Sequence, residues 1–244
     1  MYGLIGKKLG HSLSAEFFNS KFKEEGINES YRLFEIPSIE DFPKLLIEHP
    51  QLKGLNVTIP YKESIIQFLD SLSDEAIEIG AVNVIAIKKT DDVFWLKGYN
   101  TDCIGFRESL IPLLRPDIEN ALILGSGGAS KAVDYALKKL GINTKIVSRN
   151  PSQDQLGYDD LNEEFIHTYK LIVNTTPLGM FPNIDSFPPI PYQFINEENI
   201  CYDVVYNPKE TEFMKKCKEK GAIVKNGFEM WQLQAYATWN IWNA

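Results

Sequence analysis

The chain has 244 residues, of which 44% are hydrophobic and 24% charged, and its formal net charge is −8. This composition is typical of a soluble globular protein of one large or two modest domains, and the acidic balance argues against a nucleic-acid partner. No apolar run approaches the ~20 residues that span a bilayer, and the run from Met1 has no signal-peptide pattern, so we expect no membrane partner and a cytoplasmic location.

Strand and helix signals alternate through the first hundred residues. Predicted strands lie at 2–6, 31–36 and 54–59, with a strand pair at 82–87 and 93–96 around a turn at Lys89-Thr90-Asp91-Asp92; predicted helices lie at 15–25, 39–48, 63–68 and 74–79. Gly10-His11-Ser12-Leu13-Ser14 reads as a polar turn. The alternation implies a mainly parallel sheet with crossover helices.

The second half repeats this alternation after a boundary at residues 98–102. A helix is predicted at 102–114, strands from Ala121, at 144–148, 171–174, 200–204 and 222–224, and further helices at 211–220 and 229–242. Residues 150–168 show only weak helical periodicity. We therefore expect an α/β protein with a substrate domain (1–101 and 228–244) and a Rossmann-like domain (102–227), the last helix packing back on the first domain.

The stretch 120–132 predicts a phosphate site. Four apolar residues indicate a buried strand, and the turn that follows contains three residues without side chains, Gly125, Gly127 and Gly128. Apolar residues at helical spacing then continue as far as Gly141. A helix N-terminus presents free N–H groups and the positive end of a dipole, so an anion such as a dinucleotide pyrophosphate is the expected guest. The alternative is an ordinary tight turn, since the third fingerprint position holds Ser130.

The second strand of this domain ends at Ser148-Arg149 with no acidic residue. An NAD site uses an acid there to bind the ribose hydroxyls, whereas a guanidinium pairs with a 2′-phosphate. NADP is therefore favoured over NAD, and the alternative is a solvated surface arginine.

Polar residues in the first half suggest a substrate site. Thr58 ends a strand and Lys62 follows in the turn that Pro60 fixes, where a lysine could exchange the proton of an alcohol–ketone pair or could simply be solvated. Asn83 stands inside an apolar strand, where an unpartnered amide would be costly. Asp102 opens a helix and Ser12 and Ser14 precede one, so each could also be a cap.

Together these motifs resemble the shikimate dehydrogenase family. The stretches that carry the resemblance, in the family's order, are Gly10 to Ser14, Asn56 to Glu63, Gly80 to Asn83, Asn100 to Gly105, Gly125 to Ala129, Asn174 to Met180, Tyr202 to Tyr206 and Gly227 to Gln234. They cover nearly the whole chain and are far more specific than the glycine turn alone.

The resemblance implies NADP-linked reversible reduction of 3-dehydroshikimate to shikimate, in the chorismate pathway to aromatic amino acids. It implies that Lys62 and Asp102 are catalytic, Lys62 donating the proton and Asp102 bonding the adjacent hydroxyl. It implies substrate contacts by Ser12, Ser14, Thr58, Asn83, Asp102, Tyr206 and Gln234. It implies cofactor contacts by Asp74, Gly125, Ser126, Gly127, Gly128, Ala129, Ser148, Arg149, Thr175, Val204 and Gly227. A cleft between the domains and a monomer or homodimer are expected.

Two departures from the family pattern affect the cofactor prediction. Gln153 stands where the family usually has a second arginine, which implies a weaker preference for NADP. The segment 150–168 is short, which implies a reduced or absent helix beside the adenosine pocket. Two alternatives remain open: a quinate or dual quinate/shikimate dehydrogenase using NAD, and a non-catalytic NADP-binding regulator, against which the retention of Lys62 and Asp102 argues.

The remaining reactive residues predict no metal chemistry. The cysteines, Cys103, Cys201 and Cys217, have no metal-ligand spacing and are expected to be reduced thiols. None of the three histidines has a metal-like neighbour at helical spacing, and a nicotinamide cofactor would carry the redox step.

Overall fold

A computed structural model describes residues 1–10, 12–90 and 93–244. His11 of the predicted polar turn, and Asp91 and Asp92 of the predicted hairpin turn, lie outside the described residues. None of the helices within the described ranges has both the length and the apolar content of a membrane span.

The chain divides into two compact units. The first unit contains Met1–Thr101 and Ala235–Ala244, and the second contains Asp102–Gln234. The second unit is thus inserted into the sequence of the first, and the chain crosses from one unit to the other after Thr101 and after Gln234.

The first unit is built on a mixed sheet. Its strands are β1 (Tyr2–Gly6), β2 (Tyr31–Glu35), β3 (Gly54–Val57), β4 (Ser71–Leu72), β5 (Val84–Thr90) and β6 (Val93–Tyr99), and its helices are α1 (Leu13–Glu24), α2 (Phe42–Glu48) and α3 (Asp74–Ile79). The strand order is β2-β1-β3-β5-β6-β4. β1 pairs in parallel with β2 and β3, β4 pairs in parallel with β6, and β5 is antiparallel to β3 and β6.

Both faces of this sheet are covered. Ile5, Phe42 and Leu55 belong to the buried cluster that α2 helps to form on one face. Tyr2 and Phe18 belong to the cluster on the other face, together with α1 and the last turns of the C-terminal helix. Because successive side chains of a strand point to opposite faces, the fully buried β1 supplies both clusters.

The second unit carries a parallel sheet. Its elements are α4 (Asp102–Leu110), β7 (Asn120–Leu124), α5 (Gly128–Lys139), β8 (Asn143–Val147), α6 (Glu163–Thr168), β9 (Leu171–Asn174), β10 (Ile200–Asp203), α7 (Glu212–Lys218), β11 (Ile223–Lys225) and the first half of α8 (Phe228–Trp242). The order is β11-β10-β9-β7-β8, with every pair parallel. The chain runs to one side of β7 for β8 and to the other for β9, which is the switch point where ligands of such sheets bind.

The predicted α/β fold is confirmed, with some elements differing in extent. The helix predicted at 39–48 divides into a 3₁₀ turn, Ile39–Asp41, and α2, which has Pro43 in its first turn. The helix predicted at 102–114 is α4 followed by a 3₁₀ turn, Ile111–Leu113, because Pro112 has no N–H to continue the α-helical ladder. The residues predicted as a helix at 63–68 form the 3₁₀ helix Ser64–Phe68.

The hairpin is longer than predicted, because Lys88 and Lys89 pair with Trp95 and Phe94 although they break the apolar pattern. The segment 150–168 contains the 3₁₀ turn Tyr158–Asp160 and the six-residue α6, and Leu156 makes a single parallel bridge to Val147.

Candidate active site

A fixed turn follows β3 in the first unit. The strand predicted to reach residue 59 ends at Val57, because the Thr58 carbonyl accepts the N–H of Tyr61 (2.9 Å). The Tyr61 ring is buried, and its hydroxyl donates to the Ile36 carbonyl (2.6 Å). The Lys62 carbonyl accepts the N–H of Val82 (2.7 Å). The Lys62 backbone is therefore held in place while its side chain is only half-buried.

The buried Asn83 lies one residue before β5, not inside the strand as predicted. Its side-chain amide is partnered by Thr101: Asn83 Oδ1 accepts the Thr101 N–H (2.7 Å), and Asn83 Nδ2 donates to Thr101 Oγ1 (2.9 Å). The polar signal at Asn83 thus has a structural partner that the sequence pattern did not identify. Thr101 is fully buried and directly precedes Asp102.

Ser12 caps α1. Its hydroxyl oxygen accepts the N–H of Ser14 (3.2 Å), so the capping alternative for Ser12 is observed. Both serines are half-buried at the helix N-terminus. A helix N-terminus also favours a carboxylate, so the cap and a substrate contact are compatible.

Asp102 and Gln234 lie on two crossing helices of the second unit. Asp102 is buried and is the first residue of α4, where a carboxylate suits the helix dipole. α4 meets α8 at Gly105, where a Cβ would lie 2.4 Å from the Met230 carbonyl oxygen and 3.0 Å from the Gln234 backbone nitrogen. This close crossing fixes the position of Gln234 relative to the start of α4.

Most of the predicted cofactor residues lie at one edge of the second unit's sheet. The residues that follow the carboxyl ends of strands are Gly125 after β7, Ser148 and Arg149 after β8, Thr175 after β9, Val204 after β10 and Gly227 near the end of β11. Asp74 differs, because it is exposed in the first turn of α3 in the first unit.

Gly125 makes the sharp turn out of β7. Its φ of +110° favours glycine, and a Cβ there would lie 2.8 Å from Thr175 Oγ1. Thr175 in turn donates both its N–H (2.9 Å) and its hydroxyl (2.7 Å) to the Leu124 carbonyl. Thr175 therefore fixes the end of β7 from the neighbouring strand.

The α5 N-terminus has room for a ligand. Gly127 is the N-cap of α5, and a Cβ built on it would meet nothing within 4 Å, so a side chain would occupy space that the bare backbone leaves open. Ser126 and Arg149 are exposed, and the Ser126 hydroxyl lies 3.4 Å from that of Ser148. The residues present therefore fit a pyrophosphate and a second anionic group. Ser130, at the third fingerprint position, has a buried hydroxyl without a hydrogen-bond partner in the described structure.

Val204 and Gly227 touch each other. A Cβ on Gly227 would lie 2.1 Å from the Val204 carbonyl oxygen, and the Gly227 N–H donates to the Val205 carbonyl (3.1 Å). Tyr206 follows with a half-buried ring 5.9 Å from that of Trp231, and burial raises the pKa of its hydroxyl. The start of α8 is thus packed on the end of β10.

A buried carboxylate at this edge was not assigned a role from the sequence. Asp203 ends β10 and accepts hydrogen bonds from Asn174 Nδ2 (3.0 Å), the Val205 N–H (3.0 Å) and the Thr211 hydroxyl (2.6 Å). Burial raises its pKa from 3.8 to about 7, and the bonds from Thr211, Val205 and Asn174 act in the opposite direction. The sequence signal that could have identified this pair is that Asn174 and Asp203 are polar residues at the ends of two apolar strands.

Replacement of Asp203 by asparagine is expected to flatten the pH dependence of stability. Because the native pKa exceeds the unfolded value, the folded state binds more protons between pH 4 and 7, and the unfolding free energy falls as pH rises through that window. Since one pKa unit corresponds to about 1.36 kcal/mol, the unfolding free energy falls by at most ~4 kcal/mol across this window. Denaturant titrations across this window test it, and an Asp203→Asn variant with the parent slope would contradict the assignment.

Fold and site together define an α/β protein whose second unit is of the dinucleotide-binding type. A family model described as the shikimate dehydrogenase substrate binding domain matches residues 4–85. Over 252 residues the chain is 40% identical to the shikimate dehydrogenase (NADP(+)) of Clostridium botulinum, covering 98% of this chain and 95% of the relative. The chain belongs to the shikimate dehydrogenase family.

Solved structures agree with this assignment. The shikimate dehydrogenase of Aquifex aeolicus is similar with a TM-score of 0.87 and 38% identity, over 99% of this chain and 91% of that chain. The enzyme of Thermus thermophilus in complex with NADP(H) and shikimate is similar with a TM-score of 0.85 and 30% identity, over 99% and 92%.

Proposed function

We propose that this protein catalyses the reversible, NADP-linked reduction of 3-dehydroshikimate to shikimate in the cytoplasm, a step towards chorismate and the aromatic amino acids. The observation that carries the proposal is the fixed turn that presents Lys62, in a chain that is 40% identical over nearly its whole length to a relative named for this reaction. The proposal extends to residues 1–101 and 228–244 as the substrate domain, residues 102–227 as the NADP domain, and a monomer or homodimer.

The substrate would be held by hydroxyl, amide and carboxylate side chains. Ser12 and Ser14, at the N-terminus of α1, would bind the substrate carboxylate, which the helix dipole favours. The ring hydroxyls would be bound by Thr58, Asn83, Asp102, Tyr206 and Gln234. Five of these seven side chains, Ser12, Ser14, Thr58, Tyr206 and Gln234, are half-buried hydroxyl or amide groups, which suit a small polyol.

Lys62 would act as the proton donor. Bound NADPH would supply the hydride to the ketone carbon. The Lys62 ammonium would give its proton to the developing alkoxide and stabilise its negative charge, and in the reverse direction the amine would accept the proton. Asp102 would accept a hydrogen bond from the hydroxyl next to the reacting one and so orient the ring.

The cofactor would be held by backbone more than by side chains. The glycine turn Gly125 to Gly128, with Ser126 and Ala129, would receive the pyrophosphate at the α5 N-terminus, and Arg149 with Ser148 the 2′-phosphate. Thr175, Val204 and Gly227 would line the same sheet edge, and Asp74 is also assigned to the cofactor. Gln153 is exposed and uncharged, so Arg149 would carry the preference for NADP without a second arginine.

Replacement of Arg149 by alanine is expected to raise the KM for NADP about tenfold or more while changing that for NAD little, because a charge-assisted bond to the 2′-phosphate is lost. Steady-state kinetics with both cofactors measure this. The matched control is Arg115→Ala, which removes an arginine that pairs with Asp117 (3.2 Å) and should change neither KM. Equal effects of Arg149→Ala on the two cofactors would refute the 2′-phosphate contact.

The proposed function is tested by assaying the purified protein with shikimate and with quinate, each with NADP and NAD. We expect shikimate with NADP to give the highest kcat/KM. An optimum with quinate and NAD would replace the proposal with a quinate dehydrogenase, and binding of NADP without any turnover would indicate a regulator.

A further inference from the structure

A buried polar chain runs through the first unit between strands and the C-terminal helix. It consists of Tyr31, Asn56, Thr238, Thr101 and Asn83, each 7% exposed or less. Such a network in the interior fixes side-chain orientations, because every group that loses its partner pays the cost of desolvation.

Each link has a defined partner. The Tyr31 hydroxyl donates to Asn56 Oδ1 (2.8 Å), and this leaves Asn56 Nδ2 directed at the Asn83 carbonyl (3.3 Å) and at Thr238 Oγ1 (3.5 Å). The Thr238 and Thr101 hydroxyls lie 3.2 Å apart. The Thr101 N–H donates to Asn83 Oδ1, and Asn83 Nδ2 donates to the Thr101 hydroxyl.

Of these five hydrogen-bonded residues, Thr238 alone lies on the C-terminal helix α8. It lies one helical turn after Gln234, so the two residues share a face of α8. The second half of this helix is packed on the sheet: Trp242 Nε1 donates to the Ile85 carbonyl (3.1 Å), the Trp242 ring lies 4.6 Å from that of Tyr2, and Ala235 is fully buried. The Thr238 hydroxyl is therefore presented by a well-packed helix.

We propose that Thr238 is a positioning residue for the active site, an inference that rests on the proposed function. Its hydroxyl holds the side chain of Thr101, and Thr101 both orients the Asn83 amide and is bonded through its peptide to Asp102. The Asn83 amide, which is assigned to the substrate, is thus oriented through Thr101 by a group on α8 that need not touch substrate or cofactor. Misplacement of such groups by a fraction of an ångström to 1 Å is costly in catalysis.

The test compares Thr238→Val, which keeps the shape and removes the hydroxyl, with Thr238→Ser, which keeps the hydroxyl. We expect Thr238→Val to lower kcat/KM for shikimate about tenfold or more and to leave the KM for NADP within about twofold. Thr238→Ser should restore most of the loss. The control is Tyr192→Phe, which removes a comparable hydroxyl bond to the Pro188 carbonyl (2.8 Å) and should leave shikimate kinetics unchanged.

Three outcomes would overturn the inference: parent-like kinetics in Thr238→Val, equal losses in Thr238→Val and Thr238→Ser, or a loss in Tyr192→Phe as large as that in Thr238→Val. A readout without turnover separates this inference from the proposed function. Amide hydrogen exchange at Thr101, whose N–H donates to Asn83 Oδ1, should be faster in Thr238→Val than in the parent and in Thr238→Ser. If the parent has no shikimate activity, the proposed function fails, and equal exchange in all three proteins would then overturn the inference as well.

Discussion

Replacement of Lys62 by alanine is expected to lower kcat for shikimate oxidation by about 10²–10⁴-fold, the range of general acid–base catalysis. The KM for shikimate should change much less, because serine, threonine and amide groups bind the ground state in our assignment. The effect is expected in kcat because the ammonium is needed where the alkoxide charge develops. Steady-state kinetics with saturating NADP measure it.

The Lys62 variant needs a control that removes a lysine elsewhere. Lys44 on α2 is exposed and pairs with Glu48 at 3.7 Å, so Lys44→Ala should retain the parent kcat. The turn at Lys62 is held by backbone bonds and by Tyr61, so loss of the side chain should not unfold it. Near-normal turnover in Lys62→Ala would show that the assigned role is wrong.

Replacement of Gly227 by alanine is expected to destabilise the protein by about 3 kcal/mol or more, at the upper end of the range for overpacking. The new methyl group would lie 2.1 Å from the Val204 carbonyl oxygen and 2.5 Å from its carbon, and both are backbone atoms that cannot rotate away. The start of α8 would have to leave the end of β10. A fall in Tm of roughly 6–12 °C follows for a chain of this size.

The matched substitution is Gly127→Ala. Its φ of −88° suits alanine and its Cβ would meet nothing, so the loss of stability should stay within about 1 kcal/mol, the typical cost of an N-cap change. The same methyl group would fill the proposed pyrophosphate space, so NADP binding should weaken. Calorimetry and cofactor titration on both variants distinguish packing from binding. A parent Tm in Gly227→Ala, or equal destabilisation of the two, would contradict this reading.

Residues that follow strands were the most predictable part of the site. Gly125 and Arg149 follow buried apolar strands in the sequence, and parallel strands bring such positions to a single sheet edge. The fold class could be predicted for the same reason, since short apolar runs and helical periodicity are local signals. The end of α4 was less predictable, because its predicted length depended on apolar spacing and its actual length depends on Pro112.

Contacts distant in sequence could not be predicted from local pattern. Asn83 was identified as an unusual polar residue, but its partner Thr101 is 18 residues away and Thr238 is 137 residues beyond that. Nothing in the residue spacing of α8 shows that Thr238 contacts Thr101. Lys88 and Lys89 extend a strand only because Trp95 and Phe94 face them, which is likewise a property of the pairing.

The insertion of the second unit into the first has a consequence for the order of assembly. During synthesis residues 1–101 precede the second unit, yet the aromatic cover of β1 includes Trp239 and Trp242, which follow it. The second unit is contiguous and can fold without them, whereas the sheet of the first unit stays incompletely covered until residues 235–244 have been synthesised. Contacts between residues this far apart in sequence form slowly, so a free fragment of residues 1–234 should show stronger protease protection in the second unit than in the first.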